Sequence, residues 1–129
     1  MALITFLVED NKTIRDHLIP TLEELTTASV LGTAETELDA LHWLDIHNGD
    51  WDIAVVDLFL KAGSGLGVLR GCQGRKPHQR VVLLSNYPTA EIRKQCLDLG
   101  ADAVFDKSTE LEGLFHFMDG MHGGQAGAP

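Results

Sequence analysis

Basic residues are scarce in this sequence: 10 Lys and Arg stand against 19 Asp and Glu, for a formal charge of −9. A surface that binds nucleic-acid phosphates needs the opposite sign, so that partner class is excluded. There are two cysteines, Cys72 and Cys96, too few for a disulfide framework. The expectation is a reduced, cytoplasmic protein. No apolar run approaches the ~18 residues of a membrane span. Met1–Val8 has no basic leader and runs straight into Glu9-Asp10, which does not read as a signal peptide. Four prolines and the lack of any repeat or second composition leave one domain in 129 residues, with 44% hydrophobic residues to build its core.

What is present is an alternation of two apolar periods. Leu3–Val8 is a short apolar run suited to a strand. Ile14, Leu18, Leu22 and Leu25 then mark a helix stripe, with Pro20 inside it predicting a bend. Ala28–Gly32 reads as a second strand, and Leu38, Leu41 and Leu44 as a second helix ending near Asn48-Gly49. Ile53–Val56 is closed by Asp57 and followed by a Gly-rich stretch around a short helix near Leu66–Cys72. The glycines at 63, 65 and 67 do not match a phosphate-binding GxGxxG and read as a flexible active-site loop.

Val81–Leu84 ends in Ser85-Asn86, and Ile92, Cys96 and Leu99 supply the next stripe, with Gly100 as its C-terminal cap. Ala103–Phe105 ends in Asp106-Lys107. Thr109 with Glu112 predicts a capping box for a last helix along Leu111, Leu114, Phe115, Met118 and Met121. Gly123–Pro129 has nothing to bury and reads as a disordered tail. Trp43 and Trp51 read as hydrophobic anchors, the two cysteines as packing residues or bystanders, and the six histidines as surface residues.

Five strands alternating with five helices imply an α/β fold with a parallel sheet and helices on both faces. Ligand sites in such sheets lie beyond the carboxyl ends of the strands. Those ends carry Glu9-Asp10, Asp57, Ser85 and Asp106-Lys107. Crowded carboxylates repel unless a cation sits among them, and a small cluster of hard oxygens suits Mg²⁺. Lys107 suits a phosphoryl oxygen as a point charge, Ser85 can donate a hydrogen bond to another, and an Asp carboxylate can accept a phosphoryl group covalently. The pattern points to phosphoryl transfer onto Asp57.

Glu9-Asp10, Asp57, Gly63-Ser64-Gly65-Leu66, Ser85 and Lys107, in that order from about Ile4 to Met121, resemble the receiver domain of a bacterial two-component response regulator. The resemblance implies a (βα)5 flavodoxin-like three-layer sandwich with strand order 2-1-3-4-5, spanning residues 1–122 ahead of a tail at 123–129. It implies that Asp57 takes a phosphoryl group from a sensor histidine kinase or phosphotransfer protein. It also implies that Asp10, Asp57 and the Phe59 backbone carbonyl ligate Mg²⁺, with Glu9 acting through water. Ser85 is then the hydroxyl that moves toward the phosphoryl group, Lys107 is its ion-pair partner, and the face made by the fourth and fifth helices and the fifth strand is the output surface. A downstream protein partner is implied without being named, and the oligomeric state is left open. No further domain is expected after Met121, which reads as a stand-alone receiver acting as a non-enzymatic module.

Three positions depart from the family pattern. Val104 stands where an aromatic switch is usual, with Phe105 one step later; Asn86 stands where a small residue is usual; and Ser108 replaces a common proline. Phe59 and Tyr87 flank the predicted site and are expected to screen attacking water. The alternatives are a pseudo-receiver that binds partners without phosphate, a phosphatase with a D-x-D pattern, and an FMN-binding flavodoxin. The second is disfavoured by Phe59 two residues after Asp57, and the third by Glu9-Asp10, which would repel a phosphate that came without a metal.

Overall fold

The computed structural model describes residues 2–121. The element order is β1 (Leu3–Val8), α1 (Lys12–Leu25), β2 (Ala28–Ala34), α2 (Glu37–Ile46), β3 (Ile53–Asp57), α3 (Gly65–Gly71), β4 (Arg80–Ser85), α4 (Ala90–Asp98), β5 (Ala103–Asp106) and α5 (Leu111–Asp119). The strands form one parallel sheet in the order β2-β1-β3-β4-β5. The expected tail at 123–129 lies outside the described residues. No helix of the described residues is long and apolar enough to cross a membrane.

The sheet is buried on both faces, which is why its strands read as continuous apolar runs. Phe6, Val8, Ala54, Val56, Val81, Leu83 and Val104 face α2, α3 and α4, where Ala40, Leu44, Val68, Leu69 and Cys96 meet them. On the other face Leu3, Leu7, Ile53, Val55, Val82 and Leu84 pack against Leu18 and Leu22 of α1 and Leu114 and Met118 of α5. Cys72 and Cys96 are both buried, and burial raises both thiols above their ordinary range, to about 11 for Cys72. They are packing residues, unsuited to redox work at neutral pH.

Helix starts follow the capping logic at four positions. Asn11, Thr36, Ser64 and Thr89 each accept a hydrogen bond from the backbone N–H three residues on. The expected Thr109–Glu112 capping box does not form. Helix α5 starts from Glu110 with no side-chain cap, because the Glu110 Oε1 is taken by the Asp106 N–H at 2.8 Å and by Arg93 at 2.8 Å. Helix α1 runs as one segment through Pro20, which lies on its solvent side. Gly100 follows the α4 cap with φ +104, as its glycine identity requires.

Two further expectations shift. In α2 the buried face is Ala40 and Leu44 with Trp43 beside them, while Leu38 is 77% exposed. The backbone bond from Glu37 N–H to Ala62 O sets the rotation of the helix start and turns Leu38 outward. Strand β2 extends to Ala34 and carries a register shift opposite Thr5/Phe6, which leaves Leu31 unpaired and 64% exposed. Beside it Gly32 lies beneath Trp43, whose indole stacks on Phe6 at 4.0 Å and 3° and on His47 at 4.1 Å.

A Cβ at Gly32 runs into the Trp43 ring. Gly32→Ala therefore lowers the urea midpoint by an amount equivalent to about 1–3 kcal/mol and weakens the near-UV Trp signal. The loss is smaller in a Trp43→Ala background, and equal losses in both backgrounds contradict the packing.

Candidate phosphoryl and cation site

Register brings the acidic residues together. Val8 pairs with Val56, so Glu9 and Asp57 emerge side by side where β1 and β3 end. Glu9 is 1% exposed and Asp57 7%. Carboxylate oxygens of Glu9, Asp10 and Asp57 lie within 4.8 Å of one another, the one such group of three among the described residues. Lys107, following β5, sends its Nζ to Glu9 Oε1 at 2.7 Å and to Asp57 Oδ2 at 3.3 Å. One ammonium thus bonds two of the three clustered carboxylates.

The charges show the strain of that arrangement. Asp57 is pushed up to about 6, chiefly by burial and further by the neighbouring Glu9, with Lys107 pulling the other way. For Lys107 burial opposes the charge, but the Glu9 hydrogen bond and the nearness of both carboxylates outweigh it and raise its pKa. A cluster with more negative than positive charge, built from hard oxygens and partly sealed from water, fits a divalent cation such as Mg²⁺.

Backbone groups hold these side chains in place. The Lys61 N–H donates to Asp10 Oδ2 at 2.7 Å, and the Asn11 N–H to Glu9 Oε2 at 3.1 Å. Arg15, a residue the sequence pattern did not single out, donates from Nη1 to the Glu9 carbonyl at 2.7 Å and pairs through Nη2 with Glu35 at 2.7 Å. Nothing in its spacing marks it, because both partners lie outside its own helix.

The remaining predicted residues divide. Ser85 is buried at the end of β4, its Oγ donating to the Asn86 carbonyl at 3.3 Å, and its own carbonyl accepts the Lys107 N–H at 3.0 Å. Its hydroxyl is beside the site without touching a carboxylate. Phe59 and Tyr87 are 66% and 79% exposed, with Tyr87 at φ +51. Asp106 does not join the cluster; its carboxylate turns onto the N–H and hydroxyl of Ser108, which hold its pKa low.

Phe105 packs on the α5 side, edge-on to Phe117 at 6.1 Å and 70°, whereas Val104 faces α4. Alternation along β5 places Phe105, the one aromatic of that strand, on the face away from α4 and Val104 on the α4 side. The Gly-rich loop is also more firmly held than expected: the Gly65 N–H donates to Leu58 O at 2.8 Å and the Ser64 N–H to Glu37 Oε1 at 2.9 Å. Among the histidines, His47 is half-buried against Trp43 and His78 is half-buried with Nε2 3.8 Å from the buried Asp52, so neither is a plain surface residue. His122 lies outside the described residues.

The family model of the response regulator receiver domain matches residues 5–119, through every strand end just described. The chain belongs to the response regulator receiver family. Solved receivers share the fold. The DNA-binding LuxR-family response regulator of Staphylococcus aureus superposes with a TM-score of 0.78 at 16% identity, over 92% of this chain and 98% of that one. The response regulator domain of Thermotoga maritima CheB gives 0.78 at 18%, over 95% and 99%. A BeF3-activated DrrB receiver domain gives 0.74 at 23%, over 91% and 94%.

A cyclic di-GMP phosphodiesterase of Thermotoga maritima is 34% identical over 61 residues, 47% of this chain. The match spans only 17% of that protein, to which the named activity belongs.

Because Asp57 titrates near 6, a proton competes with a cation for its carboxylate. Mg²⁺ affinity, followed by calorimetry, rises through pH 6 and levels off above it; at pH 5 it is about tenfold below the plateau. The sign for stability is the reverse. With its folded pKa above the ordinary 3.8, Asp57 supports the metal-free fold fully below that value and loses the contribution as pH rises through about 6. Added Mg²⁺ therefore raises the melting temperature more at pH 8 than at pH 5, and an equal gain at both contradicts the assignment.

Proposed function

We propose that this receiver is a phosphoacceptor module of a two-component phosphorelay, with Asp57 taking a phosphoryl group from a phosphohistidine on a histidine kinase or phosphotransfer protein. The observation that carries the reading is the Lys107 ammonium held between Glu9 and Asp57 beside a third carboxylate. In the transfer, an Asp57 carboxylate oxygen forms the new P–O bond while the P–N bond to the imidazole breaks. The electron pair leaves on that nitrogen, and the proton on the other ring nitrogen makes the departing imidazole neutral.

Asp10 and Asp57 would hold Mg²⁺ together with the Phe59 carbonyl that the family resemblance implies, with Glu9 acting through water, and the ion when bound would offset negative charge on the transferring phosphoryl oxygens. The chain's own groups do the rest. Lys107 supplies a fixed positive charge to one phosphoryl oxygen. Ser85, whose hydroxyl rests on a neighbouring carbonyl, rotates to donate to another. That rotation pulls on the β4 end, which is joined to Lys107 through the Ser85 carbonyl, and so reaches β5 and α5.

The output surface is then the α4–β5–α5 face, where Arg93 bonds the Val104 carbonyl at 3.1 Å and Glu110 at 2.8 Å. With Val104 in the switch position the change passes through backbone and this polar network, with no aromatic rotation. In this reading the chain acts in the cytoplasm, catalyses only its own phosphorylation and dephosphorylation, and signals to a protein partner. The beryllofluoride-activated neighbour supports phosphate-dependent switching in this fold.

Incubation with acetyl phosphate and Mg²⁺ adds the mass of one phosphoryl group by intact mass spectrometry, and Asp57→Ala or omission of Mg²⁺ abolishes it. A wild-type chain that gains no mass points instead to a phosphate-independent interaction module. Phe59→Asn and Tyr87→Ala, at the exposed rings flanking the site, each shorten the aspartyl-phosphate lifetime by admitting water. Unchanged lifetimes remove those rings from the role.

A further inference from the structure

The turn between β2 and α2 reaches over to the loop that follows Asp57. At the start of α2 the Glu37 N–H donates to the Ala62 carbonyl at 3.1 Å, and Glu37 Oε1 accepts from the Ser64 N–H at 2.9 Å. Two residues earlier, Glu35 pairs with Arg15 at 2.7 Å and lies 3.7 Å from Lys61 Nζ. Lys61, adjacent to the clasped Ala62, is the residue whose backbone N–H holds Asp10 Oδ2 at 2.7 Å. The sequence of contacts runs from Glu37 to the loop backbone, from the loop to the Lys61 amide, and from that amide to a carboxylate of the cation cluster.

Gly63 and Gly67 supply an independent observation. A Cβ on either runs into the Glu37 side chain. Gly63 has φ +81 and needs glycine for its backbone alone. Gly67 lies inside α3 without a positive φ, where alanine is ordinarily the better residue. What glycine provides there is room for the Glu37 carboxylate.

We propose that Glu37 is a positioning residue for Asp10: by clasping residues 62–64 it fixes the Lys61 amide, and through it the direction in which the Asp10 carboxylate faces the cation. This rests on reading Glu9, Asp10 and Asp57 as a Mg²⁺ site. Glu37 is not among the groups that meet the ion or Asp57, so its effect falls on Mg²⁺ affinity and not on the phosphorylation rate at saturating Mg²⁺. An acidic residue serving only the N-terminal end of the α2 dipole gives the opposite pattern, altered stability with unchanged affinity.

The test compares the full chain with Glu37→Ala, Glu37→Gln, Gly67→Ala and the Glu37→Ala/Gly67→Ala double variant. Calorimetric Mg²⁺ titration, amide hydrogen exchange in Mg²⁺-free buffer, and acetyl phosphate kinetics over a range of Mg²⁺ are read in parallel. Glu37→Ala weakens Mg²⁺ about tenfold, speeds exchange at the Lys61 and Ser64 amides, and reaches the wild-type rate when Mg²⁺ saturates. Glu37→Gln, which keeps the accepting oxygen, restores affinity. Gly67→Ala displaces the carboxylate and weakens Mg²⁺ in the wild-type background, yet adds nothing in the Glu37→Ala background; should Glu37→Ala fail to fold, Gly67→Ala alone carries the comparison through its affinity and exchange.

Wild-type Mg²⁺ affinity in Glu37→Ala, or in Gly67→Ala where that variant alone is read, with the wild type phosphorylated normally, overturns this inference and leaves the phosphoacceptor reading standing. A wild type that neither binds Mg²⁺ nor gains a phosphoryl group overturns both.

Discussion

One ammonium group organises the end of the sheet where the acidic residues gather. Neighbouring strands lie about 4.8 Å apart, so β5 and β1, three places apart in the order, are separated by about 14 Å of backbone. Lys107 and Glu9 close that distance with their two long side chains, meeting at 2.7 Å over the ends of β3 and β4. A shorter acid at position 9 would leave the lysine to Asp57 alone. Without Lys107, two carboxylates that are almost wholly buried would face each other with no counter-charge, which the interior of a protein does not tolerate cheaply. The acids keep the lysine charged, the lysine keeps the acids close, and the surplus negative charge makes the pocket receptive to a divalent cation.

The sheet ties this pocket to the rest of the molecule. The Lys107 N–H is held by the Ser85 carbonyl, so the residue bearing the ammonium and the residue bearing the strand-end hydroxyl share a backbone hydrogen bond. Beyond β5 the Asp106 N–H and Arg93 both use Glu110, which places the start of α5 one bond from the strand end. On the proposed reading, phosphorylation of Asp57 acts through this short polar route on the α4–β5–α5 face. In this chain the route is polar because Val104 fills the inward position on the α4 side and Phe105 faces α5.

The parts of this structure that were legible in the sequence are those fixed by apolar period and strand termini. Five apolar runs became five parallel strands, and Glu9, Asp10, Asp57 and Lys107 met because each follows or closes a run whose register the buried sheet leaves little freedom to alter. Less legible was whatever depended on partners distant in sequence. The three-residue leucine spacing of α2 suggested a core stripe, but a bond to Ala62 sets the helix rotation and leaves Leu38 in water. Thr109 and Glu112 have the spacing of a capping box, yet Glu110 is already committed to Asp106 and Arg93. Arg15 and Glu37 carried no local signal because their partners, Glu35 and residues 62–64, come from other loops.

The central claim is that Asp57, Lys107 and Ser85 frame one phosphoryl-sized position next to a cation held by the acidic cluster. Crystals grown with Mg²⁺ and beryllofluoride test it most directly. The account predicts beryllofluoride bonded to an Asp57 carboxylate oxygen, with Lys107 Nζ and the rotated Ser85 hydroxyl each on a fluorine and Mg²⁺ among Glu9, Asp10 and Asp57. Crystals in which Asp57 stays bare and Lys107 keeps its two carboxylate partners, under conditions that saturate the cation site, would contradict it.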